Sequence, residues 1–346
     1  MTNEIIQLHP STKRIEFIDA LRGFTIFLVV LQHVEYMCLN VNNSVASLNS
    51  FFIQIRMPMF FLISGFVLYK EGVVWNSNQI VRFFKKKIPV QLLSPLFFFV
   101  VYMHINGYNI LEGFINEPKY GYWFTYALFI YFIIYACVRF CLRGLAGEII
   151  LVVIGILLLP AGWPGFIAQI PVPEDVLWFL SFPHWQYFLF FVMGTLVKKY
   201  YVKFQDLLDR KWLLPVCIAV YFLGNSFYDI VHLPNAIKRL PLTLTGLIIL
   251  FAFFKSKQSL FSSANRLGRV MLYVGRRTLD IYLIHYFLLP VNLSVVTFFA
   301  DHPVPAVEFF VSSVLSLVII AMCLLISNII RLSPALAHWV FGAKIK

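Results

Sequence analysis

The sequence predicts an all-α fold: a polytopic bundle of about ten transmembrane helices with both termini cytoplasmic. Three observations carry this. First, 60% of the 346 residues are hydrophobic and only 13% are charged, whereas a soluble domain is about a quarter charged. Second, apolar runs long enough to cross a bilayer, about 20 residues each, occur near 17–38, 51–69, 84–105, 122–140, 148–168, 184–201, 212–230, 238–254, 279–300 and 307–331. Third, with a cytoplasmic N-terminus, all of the 28 Lys and Arg residues except Arg56, Lys119, Lys238 and Arg239 fall on the inner side. That bias sets orientation and requires an even number of spans.

Taken in order, residues 1–16 read as a polar cytoplasmic tail, 17–331 as a single transmembrane domain and 332–346 as a second cytoplasmic tail. The first apolar run is too long for a signal-peptide core and no A-x-A-like site follows it, so it is expected to remain as the first span. Pro58, Pro89, Pro95, Pro160 and Pro290 fall in or beside spans, where membrane helices tolerate them. The net charge of +12 is assigned to inner loops rather than to nucleic-acid binding. Cys38, Cys137, Cys141, Cys217 and Cys323 are odd in number, include no C-x-x-C and read as packing residues. No H-E-x-x-H, P-loop or G-x-G-x-x-G occurs, so no metal or permanently bound cofactor is expected.

The chemistry concentrates between Asp19 and Glu35. Arg22 and His33 lie eleven residues apart, about three helical turns, so they share one face roughly 16 Å apart along the axis. Arg22 falls near the cytoplasmic surface, while His33 and Glu35 fall in the outer half. Ionisable groups inside a bilayer are costly and mark function by default, against the plainer readings of an interfacial anchor for Arg22 and a packing hydrogen bond for His33. Asp19 and Arg22, spaced i, i+3, can pair. Glu35 is two residues from His33 and does not face it on a regular helix.

Several other residues are candidates. His285 has Tyr282 one turn before it, and contact with a substrate and simple packing are equally open. Asp280 is placed to neutralise Arg276 or Arg277. Trp123, near the outer surface, either stacks on a sugar or belongs to the interfacial belt. Ser64 before Gly65 reads as close helix packing rather than a nucleophile. His104, His184, His232, His302 and His338 have no defensible partner spacing.

The stretch D19-A-L-R-G-F-T-I-F-L-V-V-L-Q-H33 resembles the first helix of the acyltransferase 3 family of integral membrane acyltransferases, whose signature is a basic residue, ten intervening residues and a His. F60-F-L-I-S-G-F66 is similar to the family's F-F-x-x-S-G-[FY] segment. Arg82 and Lys85, followed by Lys86 and Lys87, stand at the family's R-x-x-R spacing with Lys for the second Arg. Tyr122-Trp123-Phe124 and Leu128 resemble W-F-L-x-x-L. Gly275, Thr278 and I281-Y-L-I-H285 resemble G-x-x-S-x-x-I-Y-L-x-H with Thr for Ser. The resemblance runs from about residue 14 to about 330, and the order of the motifs is more specific than any one of them.

The resemblance implies transfer of an acyl group, acetyl by expectation, from cytoplasmic acyl-CoA as donor substrate. The acceptor it implies is a hydroxyl of a cell-envelope glycan, lipid-linked sugar or exported small molecule, at a multi-pass protein of the inner or plasma membrane. Arg22, Arg82, Lys85 and Lys86 would hold CoA phosphates, and His33 would act as general base, with Asp19, Glu35, Ser64, Trp123, Tyr282 and His285 in support. The partners expected are acyl-CoA, the acceptor and the bilayer, with no nucleic acid. The rival reading is a glycan or lipid-linked-intermediate exporter, which ten spans and intramembrane charges also suit.

Overall fold

A computed structural model describes residues 14–39, 49–115, 119–228, 235–290 and 304–343, and these are helical with no strand among them. Most of the expected tail 1–16, together with His232, His302 and the last three residues, lies outside the described residues.

Helix α1, Glu16–His33, continues as a π turn over Val34–Cys38. Helix α2 is Ser50–Leu68. Helix α3, Ser77–Ile88, starts where the side chain of Asn76 accepts from the Gln79 amide at 2.9 Å. It ends on Lys85, Lys86 and Lys87, a charge its C-terminal dipole favours. Pro89 then has no N–H to donate, and the ladder widens into a π turn over Pro89–Leu93 before α4, Ser94–Ile105. Short α5, Ile110–Ile115, precedes α6, Trp123–Cys141, and α7, Gly144–Leu157. Next come α8, Pro164–Ile167, α9, Glu174–Phe179, α10, Phe188–Lys199, and α11, Tyr201–Leu208. They are followed by α12, Leu213–Ser226, and α13, Asn235–Ser256. Amphipathic α14, Arg266–Arg276, is capped by Asn265, and α15, Thr278–Ile284, tightens into a 3₁₀ turn over His285–Leu288. The chain closes with α16, Pro305–Ile330, and α17, Pro334–Phe341.

Seven of the ten expected runs contain a helix long and apolar enough to cross a membrane: Glu16–Cys38, Phe51–Leu68, Ser77–Ile105, Trp123–Cys141, Gly144–Gly162, Lys238–Ser256 and Pro305–Ile330. The other three hold shorter helices. Run 184–201 begins in a 3₁₀ turn, Phe182–Tyr187, that follows a left-handed Ser181, so only α10 is regular there. Run 212–230 holds α12, 14 residues long. Run 279–300 holds Thr278–Leu288, beyond which residues 291–303 are not described.

Helix α1 is the axis of the bundle. Its spanning window is 78% buried, against 28–50% for the other six. Two apolar cores meet on it: Phe17 and Leu21 join Phe61, Tyr131 and Phe191 on one side, and Ile26, Val30 and Val34 join Ile281, Leu283 and Ile320 on the other. Paired glycines let neighbouring backbones approach, as small residues do between membrane helices. A Cβ on Gly65 of α2 would strike the Phe191 carbonyl of α10, and one on Gly194 of α10 would strike the Leu62 carbonyl of α2. Gly23 of α1 and Gly275 of α14 form the same kind of contact. Gly65→Leu is therefore expected to cost at least the roughly 1–3 kcal/mol of an overpacked core. It should show as a lower melting temperature in detergent, and an unchanged one would contradict this packing.

Candidate active site

Along α1, Arg22, Ile26 and Val29 follow one another by one turn and line a cavity of about 400 Å³. Around Arg22 the wall is cationic: Lys70 follows α2, and Arg82, Lys86 and Lys87 come from α3. No acidic residue lines this cavity among the described residues. Several cations around a largely apolar chamber form a site for a polyanion. Lys85 does not line it. At 100° per residue, Lys85 falls on the opposite side of Arg82 from Lys86 and Lys87.

Arg22 donates to the Thr278 hydroxyl at 3.0 Å. Its expected partner, Asp19, instead pairs with Arg14 at 2.5 Å and Arg276 at 3.6 Å. Among the described residues, then, no carboxylate forms an ion pair with Arg22, and the guanidinium faces the cavity. Asp280 pairs with Arg277 at 3.2 Å and Arg331 at 2.8 Å, and accepts from Ser327 at 2.5 Å. Of the two arginines expected beside it, the structure gives it Arg277, while Arg276 turns to Asp19.

The middle of the cavity is apolar with two polar features. The hydroxyl of Ser64 donates to the Phe60 carbonyl at 2.8 Å, which satisfies it within its own helix. Gln91, on the π turn, lines the wall with a buried Oε1 that has no hydrogen-bond partner among the described residues. The far end is formed by Val29, Met57, Phe60, Phe124 and Tyr282.

His33 lies one turn beyond Val29. His285 Nδ1 is 2.8 Å from the Tyr282 carbonyl and 3.0 Å from the Ile281 carbonyl. Carbonyls only accept, so this nitrogen carries the proton and His285 Nε2 of the neutral ring is a lone pair. That lone pair is 3.3 Å from His33 Nδ1, which must donate to it. His33 Nε2 is thereby left as the acceptor, and the Tyr286 hydroxyl donates to it at 2.8 Å. Two backbone carbonyls thus fix the tautomers of an imidazole pair, His285 buried and His33 half-buried, and leave one basic nitrogen at its end. Tyr282 is held by its own hydroxyl, which donates to the Gly121 carbonyl at 2.8 Å.

Glu35, on the π turn of α1, accepts from Asn49 at 2.7 Å and Ser312 at 3.3 Å. Gln32 accepts from Asn49 at 3.1 Å and Arg56 at 2.5 Å in the same outer network. Trp123 stacks on His184 with ring centroids 3.7 Å apart and planes 15° apart, away from the cavity wall. The structure therefore brings together Arg22, Arg82, Lys86, Ser64 and Tyr282 around the cavity, and His33 with His285 beyond it.

Sequence reasoning missed Lys70, Gln91, Thr278 as a partner of Arg22, and Tyr286. Two of these left a signal. Gln91 is a lone amide in an apolar run between Pro89 and Pro95, and Tyr286 adjoins the candidate His285.

Fold and site together define a multi-pass membrane protein with a cationic chamber leading towards an imidazole pair. The acyltransferase 3 model, described as an acyltransferase domain, matches residues 15–326, nearly the whole chain, and the protein belongs to this family of membrane acyltransferases. No curated protein and no solved structure matches the chain.

Proposed function

We propose that the protein is an O-acyltransferase that moves an acyl group, acetyl by expectation, from cytoplasmic acyl-CoA to a hydroxyl of an outward-facing acceptor. The acceptor is a cell-envelope glycan, a lipid-linked sugar or an exported small molecule. The observation that carries this reading is the cavity along α1, which starts among five cations and whose last α1 lining residue, Val29, lies one turn before His33. Ten crossings of the inner or plasma membrane with cytoplasmic termini, read from the Lys/Arg bias, put the cationic end on the side where acyl-CoA is found.

Arg22, Lys70, Arg82, Lys86 and Lys87 would bind the donor's phosphates by charge-assisted hydrogen bonds. The unpartnered Gln91 oxygen would accept from an amide N–H of the pantetheine arm. The thioester would then lie at the far end of the cavity. His33 Nε2 takes the proton of the acceptor hydroxyl, which replaces the Tyr286 hydroxyl on that lone pair. The acceptor oxygen attacks the thioester carbonyl carbon, the C–S bond breaks, and the departing CoA thiolate receives the proton from His33. His285 acts as a positioning residue, since its lone pair holds the His33 Nδ1 proton and supports the imidazolium.

The test is acyl transfer in sealed vesicles of known sidedness. Labelled acetyl-CoA should be consumed only when supplied to the cytoplasmic face. In the same assay His285→Ala should lower kcat, leave the KM for acetyl-CoA unchanged and displace the acid limb of the pH–rate profile. A purely structural role for His285 would lower the amount of folded protein without moving that limb.

A further inference from the structure

Lys119, Tyr120 and Gly121 lead into α6 with φ of 41°, 47° and 92°. Left-handed backbone is strained for Lys and Tyr, and such strain persists only where surrounding contacts enforce it. Those contacts are present. Buried Lys119 donates from Nζ to the Phe114 carbonyl of α5 and the Trp178 carbonyl of α9, each at 2.8 Å. The ring of Tyr120 stacks on Tyr108 with centroids 5.0 Å apart.

The strained turn bears on two tyrosines beside the imidazole pair. Gly121 lies so close to Tyr286 that a Cβ there would strike the ring and its hydroxyl. Its carbonyl accepts from the Tyr282 hydroxyl at 2.8 Å. Tyr282 and Tyr286 are about one turn apart, and Tyr122 packs against both, with ring centroids at 6.2 and 5.5 Å. The two tyrosines block different things. Tyr282 lines the far end of the cavity, and His285, 6.3 Å away between ring centroids, does not. Tyr282 therefore stands between the chamber and the imidazole pair. Tyr286 donates to His33 Nε2 at 2.8 Å and occupies the lone pair of the base.

From this we infer that Tyr282, Tyr286 and the turn 119–121 form a latch that keeps the donor thioester apart from His33 until an acceptor arrives, and so protects it from water. The inference rests on the acyl-CoA reading above. An acceptor hydroxyl that takes the His33 lone pair displaces the Tyr286 hydroxyl. Gly121 lies against that ring, so the turn moves with it, and the same turn holds the Tyr282 hydroxyl. Its movement frees Tyr282 and opens the chamber towards His33. Relief of the left-handed strain at Lys119 and Tyr120 favours the movement. A glycan or other acceptor drives the change with the binding energy of its remote contacts, which a water molecule lacks. With the latch broken, water takes the acceptor's place. Its oxygen attacks the thioester carbonyl carbon and the C–S bond breaks. One proton passes through His33 to the CoA thiolate, and the other stays on the acetic acid formed.

The experiment is hydrolysis of acetyl-CoA without acceptor, followed as thiol release by the detergent-purified full chain. It compares wild type, Tyr286→Phe, Tyr282→Phe and the double variant. Phenylalanine keeps each ring and removes the hydroxyl that ties it. A positioned base contributes about 10²–10⁴-fold, so even partial access should raise hydrolysis in the double variant by about tenfold or more over wild type. Adding His33→Ala should abolish the gain, and CoA should stabilise the double variant as it does the wild type. Damage to the fold alone would produce no gain that depends on His33. If the double variant does not fold, Tyr286→Phe alone must show the rise. Unchanged hydrolysis in the folded double variant that CoA still stabilises, or a gain that survives His33→Ala, overturns the inference and leaves the acyl-CoA reading intact. A wild type stabilised by neither CoA nor acetyl-CoA overturns both.

Discussion

Replacing His33 by alanine is expected to reduce acyl transfer by about 10²–10⁴-fold, the usual contribution of a positioned general base. The variant should still enter the membrane and bind donor, because His33 lies outside the cavity lined by the five cations. The removed ring bonds to His285 and Tyr286, so some stability is lost as well. The informative comparison is therefore between kcat and the stabilisation given by CoA. Loss of kcat with retained CoA stabilisation assigns His33 to chemistry. His33→Gln keeps hydrogen-bonding capacity but offers no nitrogen that can carry a proton away, and it should be as inactive as alanine. Near-full activity in either variant would refute the general-base mechanism.

Arg22→Ala should act on the other end of the reaction. Its guanidinium lines the cavity and donates to the Thr278 hydroxyl. Removing a hydrogen bond to a charged group costs about 1.5–3 kcal/mol, so donor affinity should weaken by roughly 10–150-fold. Arg22→Lys keeps the charge but loses the planar fork that matches a phosphate, and should recover part of the loss. The effect should appear in KM for acyl-CoA and diminish as salt is raised, since Lys70, Arg82 and Lys86 at the cavity mouth are exposed. A KM that does not change in Arg22→Ala would place the phosphates elsewhere.

Much of this arrangement was legible in the sequence, and the reasons are physical. A spanning helix declares itself by a run of apolar residues, a local property, and seven runs are helices of that length. The three-turn spacing of Arg22 and His33 is likewise local, and it aligns one with the cavity and the other with its far end. What was not legible is what folding brings together over long separations. Tyr286 and His285 reach His33 across 253 and 252 residues, and no spacing rule links them. Thr278 reaches Arg22 across 256. Asp19 has a plausible partner on its own helix, yet Arg14 just before that helix and Arg276 at the end of α14 pair with it instead. Lys85 looked equivalent to Lys86 because a basic run does not reveal its own face. The run 184–201 looked like one helix because a 3₁₀ turn is as apolar as the helix it precedes.

The most direct test of the central claim is the melting temperature of the detergent-purified protein titrated with CoA and acetyl-CoA. A ligand that binds only the folded state adds about 2.7 kcal/mol at 100 times its dissociation constant. Wild type and His33→Ala should both be stabilised, and Arg22→Ala should need much more ligand for the same shift. A folded wild type that responds to neither compound would contradict the account and favour an exporter.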